Sequence, residues 1–328
     1  MPTTDAGADT DVSARMLARR RIAVLVPCYN EAATIADVVA AFRAALPGSI
    51  VYVYDNNSTD NTIEIARAAG AVVRREAHQG KGYVVRRMFS DIDADVYVLV
   101  DGDATYDAPS AREMIARLVE GPLDMVLAVR VDREEAAYRP GHRTGNRLLT
   151  AFVTHIFGQS FTDMLSGYRA FSRRFVKSFP VLSGGFEIET ELTIHALELE
   201  MPVAEVRTPY YARPKGSASK LSTWRDGLRI LLTILKVYRS ERPLALFSAF
   251  GIALAAISIG LAIPLVVTFL EQGIVPRFPT AILSTGLMLA ALLSLACGLI
   301  LDTVTRGRRE AKLLAYLRHG APGEPAGH

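Results

Sequence analysis

No residue between Leu244 and Leu270 carries a charge, and a second uncharged run extends from Thr280 to Leu301. Each exceeds the roughly 20 residues with which an α-helix crosses a bilayer. Any fold for this chain must set these two segments aside from water. Two helices buried in a soluble core are the alternative, but 50% hydrophobic content alongside 22% charged residues points to apolar residues concentrated in one region. Pro264 falls inside the first run, where a neighbouring helix can satisfy the freed carbonyl. Arg239 and Arg242 precede the pair, Arg306, Arg308, Arg309 and Lys312 follow it, and Glu271 and Arg277 lie between. Positive-inside bias therefore predicts an integral membrane protein with both termini, and the soluble part, on the cytosolic face. Two spans without an intramembrane charge do not line a polar path, which argues against a transporter. They do offer a surface on which a homo-oligomer can form.

The N-terminal segment reads as a disordered tail over residues 1–20. Arg19-Arg20-Arg21 is followed only by Ile22 to Val26 before Pro27, too short for the apolar part of an export signal. Cys28 and Cys297 are badly placed for a disulfide and fit a reduced compartment, and no Cys/His spacing suggests zinc. The formal charge of +3 comes with membrane-proximal arginines and with no recognisable nucleic-acid motif, so no nucleic-acid partner is expected.

In front of the spans, short apolar runs alternate with helical spacing. Ile22 to Val26 is a strand, Thr34 to Leu46 a helix with Ile35, Val38, Val39 and Phe42 on one face, and Ile50 to Tyr54 a second strand. Thr62 to Ala69 is a helix closed by Gly70, Ala71 to Val73 a strand, Tyr83 to Ser90 a helix, and Val96 to Val100 a fourth strand. This alternation predicts an α/β fold: a mainly parallel, Rossmann-like sheet with helices on both faces. Its ligands belong beyond the carboxyl ends of the strands.

Those ends are polar: Pro27-Cys28-Tyr29-Asn30-Glu31, then Asp55 to Asp60, then Asp101-Gly102-Asp103. Taken alone, the second is accounted for by a capped turn. The third sets two carboxylates two residues apart, separated by a glycine that lets the backbone turn, and suits a hard divalent cation such as Mg²⁺ or Mn²⁺. Asp91, Asp93 and Asp95 precede their strand and read as solvated surface. Gly80-Lys81-Gly82 lacks the spacing of a phosphate loop.

Together, Val26 to Glu31, the Asp55 to Thr62 turn, Gly80-Lys81-Gly82 and Asp101-Gly102-Asp103 resemble the GT-A fold of the family 2 inverting glycosyltransferases. Asp163 to Arg169, Gly185 to Glu189 and Ser219-Lys220-Leu221 resemble its polyprenyl-phosphate branch, typified by dolichol-phosphate mannose synthase. The resemblance implies that Pro27, Tyr29, Asn30, Glu31, Asp55, Asn56, Lys81, Asp101 and Gly102 face the donor. It implies that Asp103 ligates the metal, supported by Asp101, and that Asp163 lies near the sugar or the attacking phosphate, oriented by Arg169. Asn56 and Thr105 depart from the pattern, where Asp and Gln are frequent. One of Glu187 and Glu189 faces the site if their segment is a strand.

For the acceptor, the arginines from Arg130 to Arg147 supply the charge that a phosphate needs, with Arg143 and Arg147 on one helical face the chosen pair. Arg213, Lys215, Ser219 and Lys220 form a second basic element, leading into an amphipathic helix that places Arg225, Arg229, Lys236 and Arg239 opposite Trp224, Leu228 and Leu231. The expected organisation is a tail (1–20), a GT-A catalytic domain (21–215), an interfacial juxtamembrane helix (216–243), a transmembrane hairpin (244–301) and a basic cytosolic tail (302–328). The expected activity is metal-dependent transfer of one sugar from a nucleotide diphosphate sugar to polyprenyl phosphate. A UDP-hexose or UDP-hexosamine is marginally preferred over GDP-mannose. A processive synthase is disfavoured because the single tryptophan, Trp224, follows Thr223 rather than Arg. A non-catalytic membrane scaffold that retains the fold is the alternative.

Overall fold

The computed structural model describes residues 20–132, 151, 153–154, 157–158, 161–181, 184–185, 187–213, 238–239 and 241–322. The expected N-terminal tail, Arg143 and Arg147, Lys215, Ser219 and Lys220, and nearly all of the interfacial helix lie outside the described residues. Two compact units emerge, Met1–Gly227 with Lys312–His328, and Leu228–Ala311.

The first unit is built on a seven-stranded sheet. Its chain runs β1 (Ile22–Cys28), α1 (Ile35–Ala45), β2 (Ile50–Asp55), α2 (Thr62–Ala68), β3 (Val72–Arg75), α3 (Lys81–Asp91) and β4 (Val96–Leu99), and then α4 (Ser110–Glu120) and β5 (Met125–Asp132). It continues through β6 (Arg169–Ser172), α5 (Arg173–Ser178), α6 (Ile188–Glu198) and β7 (Val203–Tyr210). The strand order is β3-β2-β1-β4-β6-β5-β7. All pairings are parallel except those of β6, which runs antiparallel between β4 and β5.

Sequence explains the centre of this sheet. β1 and β4 are unbroken apolar runs and are buried almost throughout, as strands covered on both faces must be. Helix α1 buries Ile35, Val38, Val39, Phe42 and Ala45, its apolar stripe at helical spacing. From β1 the chain winds outward to β3, then returns to lay β4 on the other side of β1. That reversal opens a crevice between the ends of β1 and β4, where α/β sheets hold ligands.

A second cluster packs at the opposite end of the sheet. Phe171 stacks on Phe175 at 4.6 Å between ring centroids, and His195 of α6 meets Phe175 edge-on at 5.2 Å. His195 Nε2 lies 3.0 Å from Ser178 Oγ, and its buried Nδ1 has no hydrogen-bond partner among the described residues. Burial, then the charge of Lys312, depresses its pKa to about 3. The fold thus holds this ring neutral, while the unfolded chain protonates it near pH 6.5. Its contribution is complete above pH 6.5 and is lost as the pH falls from there toward 3, at a limiting rate of about 1.4 kcal/mol per pH unit. Apparent Tm measured from pH 7 to 5 should fall less steeply in His195→Phe than in the unaltered protein. Parallel profiles would show that this ring does not control the slope.

Asp124, fully buried just ahead of β5, is the hub of the same end. It accepts from Ser172 Oγ at 2.6 Å, from Arg174 Nε and Nη2 at 2.5 and 2.8 Å, and from Tyr316 Oη at 2.8 Å. The Arg174 guanidinium lies 4.7 Å from the Tyr316 ring centroid, and Lys312 Nζ is 2.5 Å from Glu198 Oε2 at the end of α6.

In the second unit, helix α7 (Pro243–Gln272) and most of α8 (Phe278–Leu317) are long and apolar enough to cross a membrane, and only 17% of each apolar window is buried. Such exposure does not suit the core of a soluble protein. The helices meet through small residues. Gly251 lies against the Ala291 carbonyl, Ser258 Oγ donates to Ser284 O at 2.7 Å, and Ser294 Oγ donates to Phe247 O at 2.8 Å. Close backbone approach with interhelical hydrogen bonds is how helices associate in lipid. Pro264 sits within α7 as expected. Helix α8 does not stop at Leu301 but continues to Leu317, whose last residues, from Lys312, belong to the first unit.

Candidate functional site

The loops after β1 and β2 are stitched into one wall. Asn30, at a φ of 54°, donates its backbone N–H to Ser58 Oγ at 2.8 Å and accepts from the Thr59 N–H through Oδ1 at 2.8 Å. Glu31 N donates to Thr62 Oγ1 at 2.9 Å. Pro27, Tyr29 and Glu31 are half-buried along this wall. Asp55 is 1% exposed; its Oδ2 accepts from Ser58 N at 3.2 Å, while its buried Oδ1 has no partner among the described residues. A buried carboxylate oxygen left unpaired is costly, and a ligand N–H or O–H would satisfy it.

Asn56 has a task within the fold. Its Nδ2 donates to Glu76 O at 3.0 Å and His78 O at 2.8 Å, and its Oδ1 accepts from Gly80 N at 2.7 Å. With the amide spent on backbone, Asn56 is a strut that holds the turn before α3.

That turn delivers Lys81. Its Nζ lies 2.5 Å from Asp101 Oδ1 and 2.5 Å from Glu189 Oε1, with the lysine side chain 10% exposed. Burial works against the ammonium, but the two carboxylates hold its pKa above the ordinary lysine value. The segment carrying Glu187 and Glu189 is not a strand: Glu187 immediately precedes α6 and Glu189 lies in its first turn. Two residues apart on a helix, the glutamates diverge, and Glu189 is the one that reaches Lys81.

The Asp101-Gly102-Asp103 turn crosses the crevice. Gly102 is required for space rather than for freedom to turn, because a Cβ there would stand 2.8 Å from Cys28 Sγ. Its carbonyl accepts from Thr34 Oγ1 at 2.7 Å, which ties the turn to the start of α1. Gly167 backs onto the Asp101 carboxylate so closely that a Cβ would run into it. Asp103 is 3% exposed. Thr105 Oγ1 donates to Asp103 Oδ1 at 2.6 Å, and Arg213 Nη2 is 2.6 Å from Asp103 Oδ2. Burial, then the charge of Asp101, raises the Asp103 carboxyl above its ordinary range, with Arg213 and Thr105 opposing.

Asp163 does come to this end of the sheet, but Arg169 does not orient it. Asp163 is gripped by Arg130 at the end of β5, with Nε 2.6 Å from Oδ2 and Nη2 2.7 Å from Oδ1. Arg169 is fully buried in β6 and donates to Ser166 O at 3.0 Å, Met164 O at 2.6 Å and Thr193 Oγ1 at 2.8 Å. Burial lowers its pKa to about 10. Arg169 therefore pins the backbone of the 163–166 loop and leaves the carboxylate to Arg130. The Arg130 guanidinium also lies 5.5 Å from the ring centroid of Tyr210. Sequence alone leaves Glu189 undecided against Glu187 and counts Arg130 only among the acceptor arginines; the contacts to Lys81 and Asp163 are what the structure adds. The pairing of Arg130 with Asp163 could have been sought by asking what stands at the end of the next strand.

The profile of the family described as Glycosyl transferase family 2 matches residues 23–179. Glycosyltransferase AglJ of Haloferax volcanii is 35% identical over 88% of this chain and 95% of its own. The dolichyl-phosphate hexose transferase of the same organism is 28% identical over 67% of this chain and 95% of its own. Among solved structures, glucosyl-3-phosphoglycerate synthase from Mycobacterium tuberculosis, in complex with Mn²⁺, UDP-glucose and phosphoglyceric acid, superposes with a TM-score of 0.55. At 23% identity, over 71% of this chain and 85% of that one, it shows the shared fold.

Proposed function

We propose that this chain, which belongs to glycosyl transferase family 2, moves one sugar from a nucleotide diphosphate sugar to a polyprenyl phosphate at the cytosolic face of a membrane. The observation that carries the reading is the placement of Asp101 and Asp103 at the switch point of the sheet, Asp101 held by Lys81 and the buried Asp103 by Thr105. The two apolar helices and the dolichyl-phosphate hexose transferase among the relatives support a lipid acceptor. The UDP-glucose complex of the structural neighbour supports a UDP-hexose or UDP-hexosamine donor over GDP-mannose.

The unpaired Oδ1 of Asp55 is suited to an N–H or O–H of the donor's base or ribose, beside Pro27, Tyr29, Asn30 and Glu31. The described residues hold no group of three or more His, Cys, Asp or Glu side chains fit for a metal. That composition suits Mg²⁺ or Mn²⁺ bound by one or two carboxylates together with substrate phosphates, rather than an all-protein cage. Asp103 would hold the ion with Asp101 behind it, and the ion would supply charge neutralisation for the departing diphosphate. Thr105 fixes the Asp103 carboxylate and Lys81 fixes Asp101, so neither has to reorganise during reaction. Asp163 fixes Arg130 and the positive charge it carries. A lipid monophosphate is ionised at neutral pH, so its oxygen attacks the anomeric carbon without a strong base. The bond from that carbon to the diphosphate oxygen breaks, its electron pair leaves with the nucleotide, and the anomeric centre inverts.

The test is a product assay on detergent-solubilised protein with Mn²⁺ or Mg²⁺, a short polyprenyl phosphate and a panel of UDP- and GDP-sugars. One donor should give a lipid-linked monosaccharide, reduced at least about a hundredfold in Asp103→Ala. No lipid product from any donor, with no metal-dependent nucleotide binding, would turn the reading to a membrane scaffold.

A further inference from the structure

The two carboxylates of the Asp101-Gly102-Asp103 turn are neutralised in unequal ways. Asp101 is paired with Lys81, which is also bound to Glu189, and the side chains of Lys81 and Glu189 are only 10% and 8% exposed. Lys81, itself the first residue of α3, is clamped between Asp101 in the turn after β4 and Glu189 in the first turn of α6. Asp103 is paired with Arg213, whose side chain is 34% exposed and which stands three residues beyond the end of β7. One cation is built in, and the other sits on a segment leaving the sheet. Asp103 needs a counter-charge, because a carboxylate 3% exposed and facing a second carboxylate is costly to leave alone.

We propose that Arg213 is an exchangeable counter-ion: it holds Asp103 while no divalent cation is bound, and gives up Asp103 Oδ2 when the cation and the nucleotide diphosphate arrive together. This rests on the donor and metal reading above. A guanidinium 2.6 Å from Oδ2 occupies the space and the lone pair that a cation ligated by this oxygen would need. A divalent cation arriving alone must displace a favourable ion pair and meets an added positive charge. A cation arriving with a diphosphate brings the displaced guanidinium a new partner, since two parallel N–H groups match phosphate oxygens. Arg213 therefore opposes the bare ion and favours the ion with nucleotide, which makes the two bind cooperatively. Lys81, bound to two carboxylates, remains in place throughout.

The experiment is a Mn²⁺ titration of the full chain in detergent, read by the electron paramagnetic resonance signal of free aqueous Mn²⁺, without and with UDP. Arg213→Gln should bind Mn²⁺ about tenfold more tightly than the unaltered protein when UDP is absent, and the tightening produced by UDP should shrink by at least that factor. Arg213→Lys, which keeps the charge, should stay near the unaltered protein. Arg117→Gln, at an exposed ion pair on α4, controls for net charge and should change neither value. Equal or weaker Mn²⁺ binding by Arg213→Gln in the absence of UDP, with UDP-dependent binding intact, overturns the exchange alone. No Mn²⁺ binding by the unaltered protein even with UDP overturns the exchange and the metal reading beneath it.

Discussion

Lys81→Met should abolish most sugar transfer and destabilise the protein in one step. Lys81 Nζ neutralises Asp101 and Glu189 at 2.5 Å each, and its removal leaves two carboxylates facing one another in a mostly buried site. Breaking a buried ion pair by deleting one partner costs about 3–5 kcal/mol, far more than the pair's net contribution, because the remaining charge is uncompensated. Asp101 also loses the contact that fixes it beside Asp103. Loss of one preorganised electrostatic contact lowers turnover about a hundred- to a thousandfold. The measurements are apparent Tm in detergent and kcat/KM with the active donor. Adding Glu189→Gln to Lys81→Met removes one stranded charge, so the double variant should recover part of the Tm and none of the activity. Wild-type values of both in Lys81→Met would show that the network carries neither role.

Asp124→Ala should do only the second, lowering stability without touching chemistry. It strands Ser172 Oγ, the Arg174 guanidinium and Tyr316 Oη at once, and the Arg174 side chain is only 15% exposed. A loss of about 3–5 kcal/mol follows for the ion pair and its hydrogen bonds. Tyr316→Phe, which removes a single donor, should cost about 1 kcal/mol. Asp124 stands at the amino-terminal end of β5, while Arg130, Asp101 and Asp103 stand at the opposite edge of the sheet. At a temperature where the variant stays folded, its kcat/KM should match that of the unaltered protein. A comparable fall in activity and stability would place Asp124 in the chemistry.

What could be read in advance follows from how locally each feature is encoded. β1 to β4 and the helices between them are legible because each strand is an apolar run and each helix carries a stripe at helical spacing, separated by Pro, Gly or Asp. β6 is not: its four residues begin with Arg169, whose guanidinium is buried against the carbonyls of Met164 and Ser166 and the hydroxyl of Thr193, so composition disguises the strand. Asp55, Asp101, Asp103 and Lys81 could be chosen because they follow strands or open a helix at the crevice. The partner of Asp163 could not, because Arg130 stands 33 positions away in the chain and tertiary packing alone brings it there. Glu187 and Glu189 are hard to separate in sequence because a short segment does not declare whether its period is 2 or 3.6, and here the backbone is helical.

The ion pair of Lys312 and the hydrogen bond and ring contact of Tyr316 have a consequence for the order of synthesis. The sheet-bearing unit is discontinuous along the chain: its final contributors, at the end of α8, are translated only after the whole of Leu228–Ala311. A ribosome that has released the whole sheet has still not made the side chains that complete the acceptor set of Asp124 and Glu198. Until the last helix emerges, that end of the domain is unfinished, and its maturation waits on the two long apolar segments. A chain cut before Leu228 would carry every described site residue and lack that closing piece.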